Sequence, residues 1–336
     1  ERIDARGGIV HPGYIDAHNH IVHGTCRGIF TNVERSSEGA VNFADWKADV
    51  TPDDEYHATA LAGLELLHNG FTGFVESGSA FEPAAIASAA TRLGVRVTLA
   101  EAYLWDQVAI MRHVGSLESK SLFARVPAEL DRCLSQLGNQ LHRNSDPAGH
   151  VHGFVCLYGL GTASDELQLA AKAVAAEHGV VVHQHEGYVP GMSAALRGRL
   201  GCSPIVHLAE LGVLDADSTL IHMNVLDEDE IGALRQSGAS VVWCPLAYFN
   251  LGLPATTPCH MPALVGAGIN VALATDGARD CVIGDAALGA HLAARSSGRA
   301  ADAVIYDDAP DYAPQPAPRA AQPAPRAAAP APAQPP

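Results

Sequence analysis

The sequence predicts an α/β protein folded as a (β/α)8 barrel, and three observations carry that expectation. Short apolar segments, often β-branched, recur along the chain in the manner of buried parallel strands. Stretches with apolar residues at helical spacing alternate with them. Eight such pairs occupy roughly 290 residues, close to the usual span of this barrel. An open doubly wound sheet would also alternate, but it normally carries a glycine-rich phosphate turn after its first strand, and "DAHNHIVHG" is not one.

In chain order, the first strand is expected over residues 9–18, where "IVHPGYIDAH" runs into a histidine pair, and the first helix over 52–68. Strand "FTGFVE" (71–76) precedes a helix over 82–93, and strand "VRVTLAE" (95–101) precedes one over 127–142. Strand "VHGFVCL" (151–157) leads to "SDELQLAAKAVAAEHG", where the helical pattern is clearest. There Ser164 can cap the start, acids follow, apolar residues recur at helical spacing over 164–178, and Gly179 ends the helix. The remaining strands are "VVVHQH" (180–185), "TLIH" (219–222), "SVVWC" (240–244) and "NVALAT" (270–275). Their helices are expected over 204–211, 227–236, 261–266 and 284–296. Residues 309–336 are almost wholly Pro, Ala, Gln and Arg, have no apolar face to bury, and read as a disordered or polyproline-like tail.

Composition narrows the function classes. A formal charge of -16 and only three lysines, Lys47, Lys120 and Lys172, argue against a nucleic-acid surface, which needs clustered cations. No apolar run reaches the roughly 18 residues of a membrane helix, so no membrane partner is expected. The opening "ERIDARGG" does not resemble a signal peptide, and the scattered cysteines form no CxxC pair. The expectation is a cytoplasmic protein with reduced thiols and a small-molecule substrate.

In such a barrel, function sits at the C-terminal ends of the strands. Strand 1 ends with His18 and His20, which alternation places on one face. Strand 5 ends in "VVHQHEG" with His183, His185 and Glu186, strand 6 in "LIHMN" with His222, and strand 8 in "ALATDG" with Asp276. Imidazole and carboxylate gathered at one rim are the N/O ligands of zinc or iron(II).

These residues carry a resemblance. "IDARGGIVHPGYIDAHNH" with the RG that follows, "LIHMNVLDEDEIGALRQSGASVVWCPLAYFNLGL" and "MPALVGAGINVALATDG" resemble the amidohydrolase superfamily, in its deaminase and chlorohydrolase branch. The match runs from about residue 3 to about residue 280. The resemblance implies one divalent metal, zinc or alternatively iron(II), held by His18, His20, a strand-5 histidine and Asp276. It sets His222 beside the metal, where it is also a possible ligand. Binuclear relatives add a carboxylated lysine at the end of strand 4; "VHGFVCLYGLG" has none, and Lys172 falls in the following helix, so one metal is favoured.

Strand 5 admits two registers against the family pattern of a ligand histidine followed three residues later by glutamate. His183 with Glu186 satisfies that pattern by eye. The resemblance also implies a register, since in relatives the ligand follows the glycine that ends the preceding helix at a set distance; counted from Gly179 it selects His185 as ligand and leaves Tyr188 in the acid's slot. His185 is preferred, with His183 as the alternative. The resemblance then implies hydrolytic deamination of an aminated heterocycle by metal-activated water. His222 and Asp276 handle the proton, and Glu186 is the candidate acid for the leaving group. Tyr188, Phe249 and Asn250 are candidate substrate contacts. Amide, carbamate, urea or dechlorinating hydrolysis is the alternative, and a non-catalytic assembly role the second alternative. The expected domains are a β-sandwich remnant over 1–8, the barrel over 9–297, a segment returning to the sandwich over 298–308, and the tail; a homodimer is possible.

Overall fold

The computed structural model describes residues 4, 6–8, 10–26, 43–113 and 119–277. The strands are β1 (Tyr14–Asn19), β2 (Phe71–Glu76), β3 (Arg96–Leu99), β4 (Val151–Gly153), β5 (Val155–Leu157), β6 (Val182–Glu186), β7 (Ser218–His222), β8 (Ser240–Trp243) and β9 (Val271–Leu273). All pair in parallel, in the orders β1-β2-β3-β4 and β5-β6-β7-β8-β9. Only Phe154 separates β4 from β5, and its N–H donates to Leu99 O at 3.0 Å, so the two form one interrupted strand beside β3. The opposite seam is bridged where Asn19 pairs with Asp276. There His20 N–H donates to Asp276 O at 3.1 Å and Asp276 N–H to His18 O at 2.9 Å. The fold is a (β/α)8 barrel with its strands in chain order.

The helices are α1 (Phe43–Asp49), α2 (Pro52–His68), α3 (Pro83–Leu93), α4 (Lys120–Arg125), α5 (Leu130–Gln136), α6 (Asp165–His178), α7 (Pro190–Leu200), α8 (Pro204–Leu211), α9 (Glu228–Ser237), α10 (Pro245–Asn250) and α11 (Met261–Gly266). Their ends follow local chemistry. Thr51 and Asp54 close a capping box on α2, as Asp227 and Glu230 do on α9. Ser164 accepts from Leu167 N–H at the start of α6, and Gly179, at φ 63°, ends it in the left-handed conformation. Ala62 and Leu66 of α2 and Ile86 and Ala90 of α3 pack on Phe71, Phe74, Val97 and Leu99. Leu167, Ala171 and Ala175 of α6 cover Val155, Leu157 and Val182. The many alanines at these contacts let helices lie close on the sheet.

Several boundaries differ from the sequence reading. The expected helix over 127–142 is α5 followed by a 3-10 turn, Asn139–Ser145, because Gly138 sits at φ 82° and breaks the ladder. Helix α7 was not expected, since Pro190, Gly191 and Gly198 dilute its pattern; Pro190 occupies its first turn, where a missing N–H costs nothing. The expected helix over 284–296, the return segment and the tail lie outside the described residues. Among the described residues no helix is long and apolar enough to cross a membrane.

Candidate metal centre

The centre is assembled at the C-terminal rim. Asp16 and His18 alternate along β1, His20 follows just beyond its end, and all three are buried. Asp16 works at the seam: its carboxylate accepts from Thr275 N–H at 3.0 Å and from Asn19 Nδ2 at 2.9 Å, stitching β1 to the chain beyond β9. That stitch sets His18 and His20 opposite Asp276. Asp276 Oδ1 lies 3.1 Å from His20 Nε2 and 3.5 Å from His18 Nε2.

His185 enters from β6, its ring centroid 4.7 Å from that of His18 and 5.6 Å from that of His20. Potential ligand atoms of His18, His20 and His185 lie within 4.8 Å of one another, and so do those of His18, His222 and Asp276. These two overlapping groups bring together five residues from the ends of β1, β6 and β7 and from just beyond β9. His222, Met223 and Asp276 hold φ of 72°, 49° and 59°, left-handed values that cost a side-chain-bearing residue about 1–2 kcal/mol. Hydrogen bonds from Met223 N–H to Glu186 O and from Asp276 N–H to His18 O hold the chain there.

The donor set fits a metal ion. His18 Nε2, both ring nitrogens of His185 and His222 Nδ1 are buried without a hydrogen-bond partner. Orphaned polar atoms of this kind are costly in a dry interior, and coordination would satisfy them. Burial pushes the pKa of His18, His20, His185 and His222 down, so all four are neutral and have lone pairs to give. Burial pushes Asp276 up, but the imidazoles of His18, His20 and His222 around it outweigh burial and hold its carboxyl well below the usual carboxylate range.

The two strand-5 histidines have different environments. His183 Nε2 lies 2.9 Å from His18 Nδ1, and its ring meets Phe154 edge-on at 5.5 Å. If His18 coordinates through Nε2, its Nδ1 carries the proton and donates to His183, which occupies the His183 Nε2 lone pair. His185 makes no such bond, and the ring of Tyr158 stacks on it at 4.2 Å. Glu186 lies on the other face of β6. Its Oε1 accepts from Leu160 N–H at 2.7 Å, and burial raises its carboxyl to about 8.

Tyr188 packs on His222 with centroids 4.6 Å apart, and its carbonyl accepts from Asn224 Nδ2 at 3.1 Å. Phe249 and Asn250 end α10; Phe249 leans on Tyr248 at 5.7 Å and Asn250 is exposed. Lys172 bonds Asp215 at 2.5 Å from α6. Sequence reasoning did not find Asp16, Tyr158, Ser77 or Ser79. For Asp16 a signal existed, since it shares the i, i+2 alternation of His18 and His20. The others sit on turns whose return path only the fold reveals.

The structure thus defines a parallel α/β barrel with four histidines and an aspartate gathered at its C-terminal rim. The sequence model of the amidohydrolase family matches residues 9–309, and the chain belongs to that family. It is 28% identical over 279 residues to a 5-methylthioadenosine/S-adenosylhomocysteine deaminase of Symbiobacterium thermophilum, covering 82% of this chain and 59% of the relative. It is 24% identical to a 5'-deoxyadenosine deaminase of Methanosarcina mazei, covering 82% and 59%. The chain thus spans about three fifths of the length of these relatives. Among solved structures it resembles a zinc-bound adenosine deaminase from Xanthomonas campestris, with TM-score 0.71 and 22% identity over 86% of this chain and 62% of that one. It also resembles atrazine chlorohydrolase from Arthrobacter aurescens complexed with zinc, with TM-score 0.67 and 22% identity over 85% and 64%.

Proposed function

We propose that this protein is a metal-dependent hydrolase that deaminates an aminated heterocycle, with a purine nucleoside as the first substrate class to test. The observation that carries the reading is the convergence of His18, His20, His185, His222 and Asp276, with buried ring nitrogens that lack partners. The deaminases to which the chain is similar support the reaction class. His18, His20, His185 and Asp276 would hold one divalent ion, and zinc, the ion in the solved relatives, is the first choice. Such an ion, when bound, acts as a Lewis acid that lowers the pKa of water toward neutrality.

The chain's own residues do the rest. Asp276, ionised and on the rim, takes the proton from the attacking water at a carboxylate oxygen. His222, neutral and beside it, hydrogen-bonds the electrophile's ring nitrogen as charge builds there. Attack at the amine-bearing carbon breaks the C–N bond, and the proton held at Asp276 passes to the leaving nitrogen, which departs as ammonia. Tyr158 and Tyr188 offer aromatic walls next to His185 and His222, suited to a planar ring. Glu186, the expected acid, holds the end of β6 through one carboxyl oxygen. Its Oε1 accepts from Leu160 N–H on the far face of β6 and its Oε2 is buried without a hydrogen-bond partner; we assign Oε1 to positioning the end of that strand, and the leaving group takes its proton from Asp276.

The test is ammonia release from 5'-methylthioadenosine, 5'-deoxyadenosine and adenosine by the zinc-loaded full chain. Elemental analysis of protein purified without added metal accompanies it. One bound metal with turnover is expected. Protein that neither retains nor takes up a divalent ion would overturn the reading.

A further inference from the structure

His20 is supported by groups that neither the metal motif nor the family match assigns. Its Nδ1 lies 2.8 Å from Ser79 Oγ and 2.8 Å from Ser77 Oγ. The Ser79 hydroxyl in turn donates to Glu76 Oε1 at 2.6 Å. Glu76 ends β2 and is fully buried, and its Oε2 accepts from Gly78 N–H at 2.9 Å and Ser79 N–H at 3.2 Å. The turn that folds Ser79 back onto its own strand end needs Gly78, which sits at φ 69°; a Cβ there would lie 2.7 Å from Glu101 O. Tyr103 N–H pins the same turn by donating to Gly78 O at 2.9 Å.

The proton positions follow from the partners. The Ser79 hydroxyl donates to Glu76 Oε1 while Glu76 Oε2 takes the Gly78 and Ser79 N–H groups, so the Ser79 oxygen lone pairs face His20. His20 therefore donates from Nδ1, which leaves Nε2, the atom 3.1 Å from Asp276 Oδ1, as the lone pair turned to the cluster. Ser77 lies 3.3 Å from Asn19 O, so it can spend its hydrogen on that carbonyl and is a second acceptor for His20, one with no carboxylate behind it. We propose that Glu76 and Ser79 are positioning residues for the metal: a carboxylate acting on His20 through an interposed serine hydroxyl. The pair would fix the tautomer and orientation of His20 and raise its basicity as a ligand. This inference rests on the metal reading of the centre.

Zinc affinity of the full-length chain, measured by competition with a chromogenic chelator, tests it without recourse to turnover. Ser79→Ala and Glu76→Gln should each weaken zinc by about 10–100-fold, the usual cost of removing an outer partner of a ligand histidine. The double variant should be little weaker than the worse single one, because both break the same chain. Ser77→Ala should stay within about threefold of the parent, since the acceptor backed by Glu76 remains. Ser79→Ala is the deciding variant, since Glu76 keeps its bonds to the Gly78 and Ser79 N–H groups and the turn survives. The visible spectrum of cobalt(II)-loaded Ser79→Ala should also shift as the His20 ring reorients. Parent-like affinity in Ser79→Ala, or an equal loss in Ser77→Ala, would overturn the proposal. A parent that binds no zinc would instead overturn the metal centre itself.

Discussion

Two histidines two residues apart on β6 show how much a single side chain's partner decides. His183 and His185 share a strand face and are both buried, yet His183 is bonded to His18 while His185 stands next to both His18 and His20. His185→Ala is therefore expected to lose the metal and His183→Ala to retain it with weakened affinity. Metal content of the two purified variants, measured side by side, checks this, and loss in His183→Ala alone would restore the other register. Asp276 carries a second prediction. Its carboxylate is both a donor to the ion and the proton acceptor, so Asp276→Asn should lower kcat by at least about 10³-fold even where some metal stays bound. Activity within tenfold of the parent would show that another base does the work.

At the scale of elements, turns hold the rim in place. Gly159, just beyond β5, has φ 86°, and a Cβ there would sit 1.9 Å from His185 O and 2.7 Å from Glu186 Oε1. Gly159→Ala must strain this turn or push the end of β6 outward. The expected loss is at least about 2 kcal/mol in urea unfolding, with weaker zinc binding because His185 moves. Glu55 of α2 ties the β2–α3 turn by accepting from Phe81 and Glu82 N–H, both at 2.7 Å. Burial raises its carboxyl to about 7 despite those bonds. Its pKa in the folded state is above the unfolded value, so its contribution is full below about pH 4.5 and lost as pH rises through about 7. Parent and Glu55→Gln should therefore diverge with pH, the parent losing ground between pH 5 and 8. Unfolding curves with the same gap at both pH values would contradict that assignment.

At the scale of the whole molecule, the metal should act as a clamp, because its ligands come from β1, β6 and the chain beyond β9, far apart in sequence. With free zinc at a thousandfold excess over Kd, linkage adds about 4 kcal/mol, which for a chain of this size raises Tm on the order of 10 °C. Adding a chelator should return the midpoint to that of the metal-free protein, and a Tm indifferent to zinc would argue against a site formed only in the folded state. The same long separations explain what could be read in advance. Barrel class, strand order and the roster of rim histidines were legible because buried parallel strands are apolar runs and their C-terminal ends fall at recognisable places. Helix α7 was not, since Pro190 and two glycines hide its periodicity, and the interruption at Phe154 leaves no mark in composition. By itself the sequence determined that His18, His20, His222 and Asp276 share one rim, because strand alternation and parallel order are local rules. Which nitrogen meets which partner was decided only by the tertiary structure: His183 against His18, Ser79 between His20 and Glu76, and Glu186 turned to Leu160. Those contacts join strands and turns remote in sequence, where differences of a few ångströms choose between a ligand and its support.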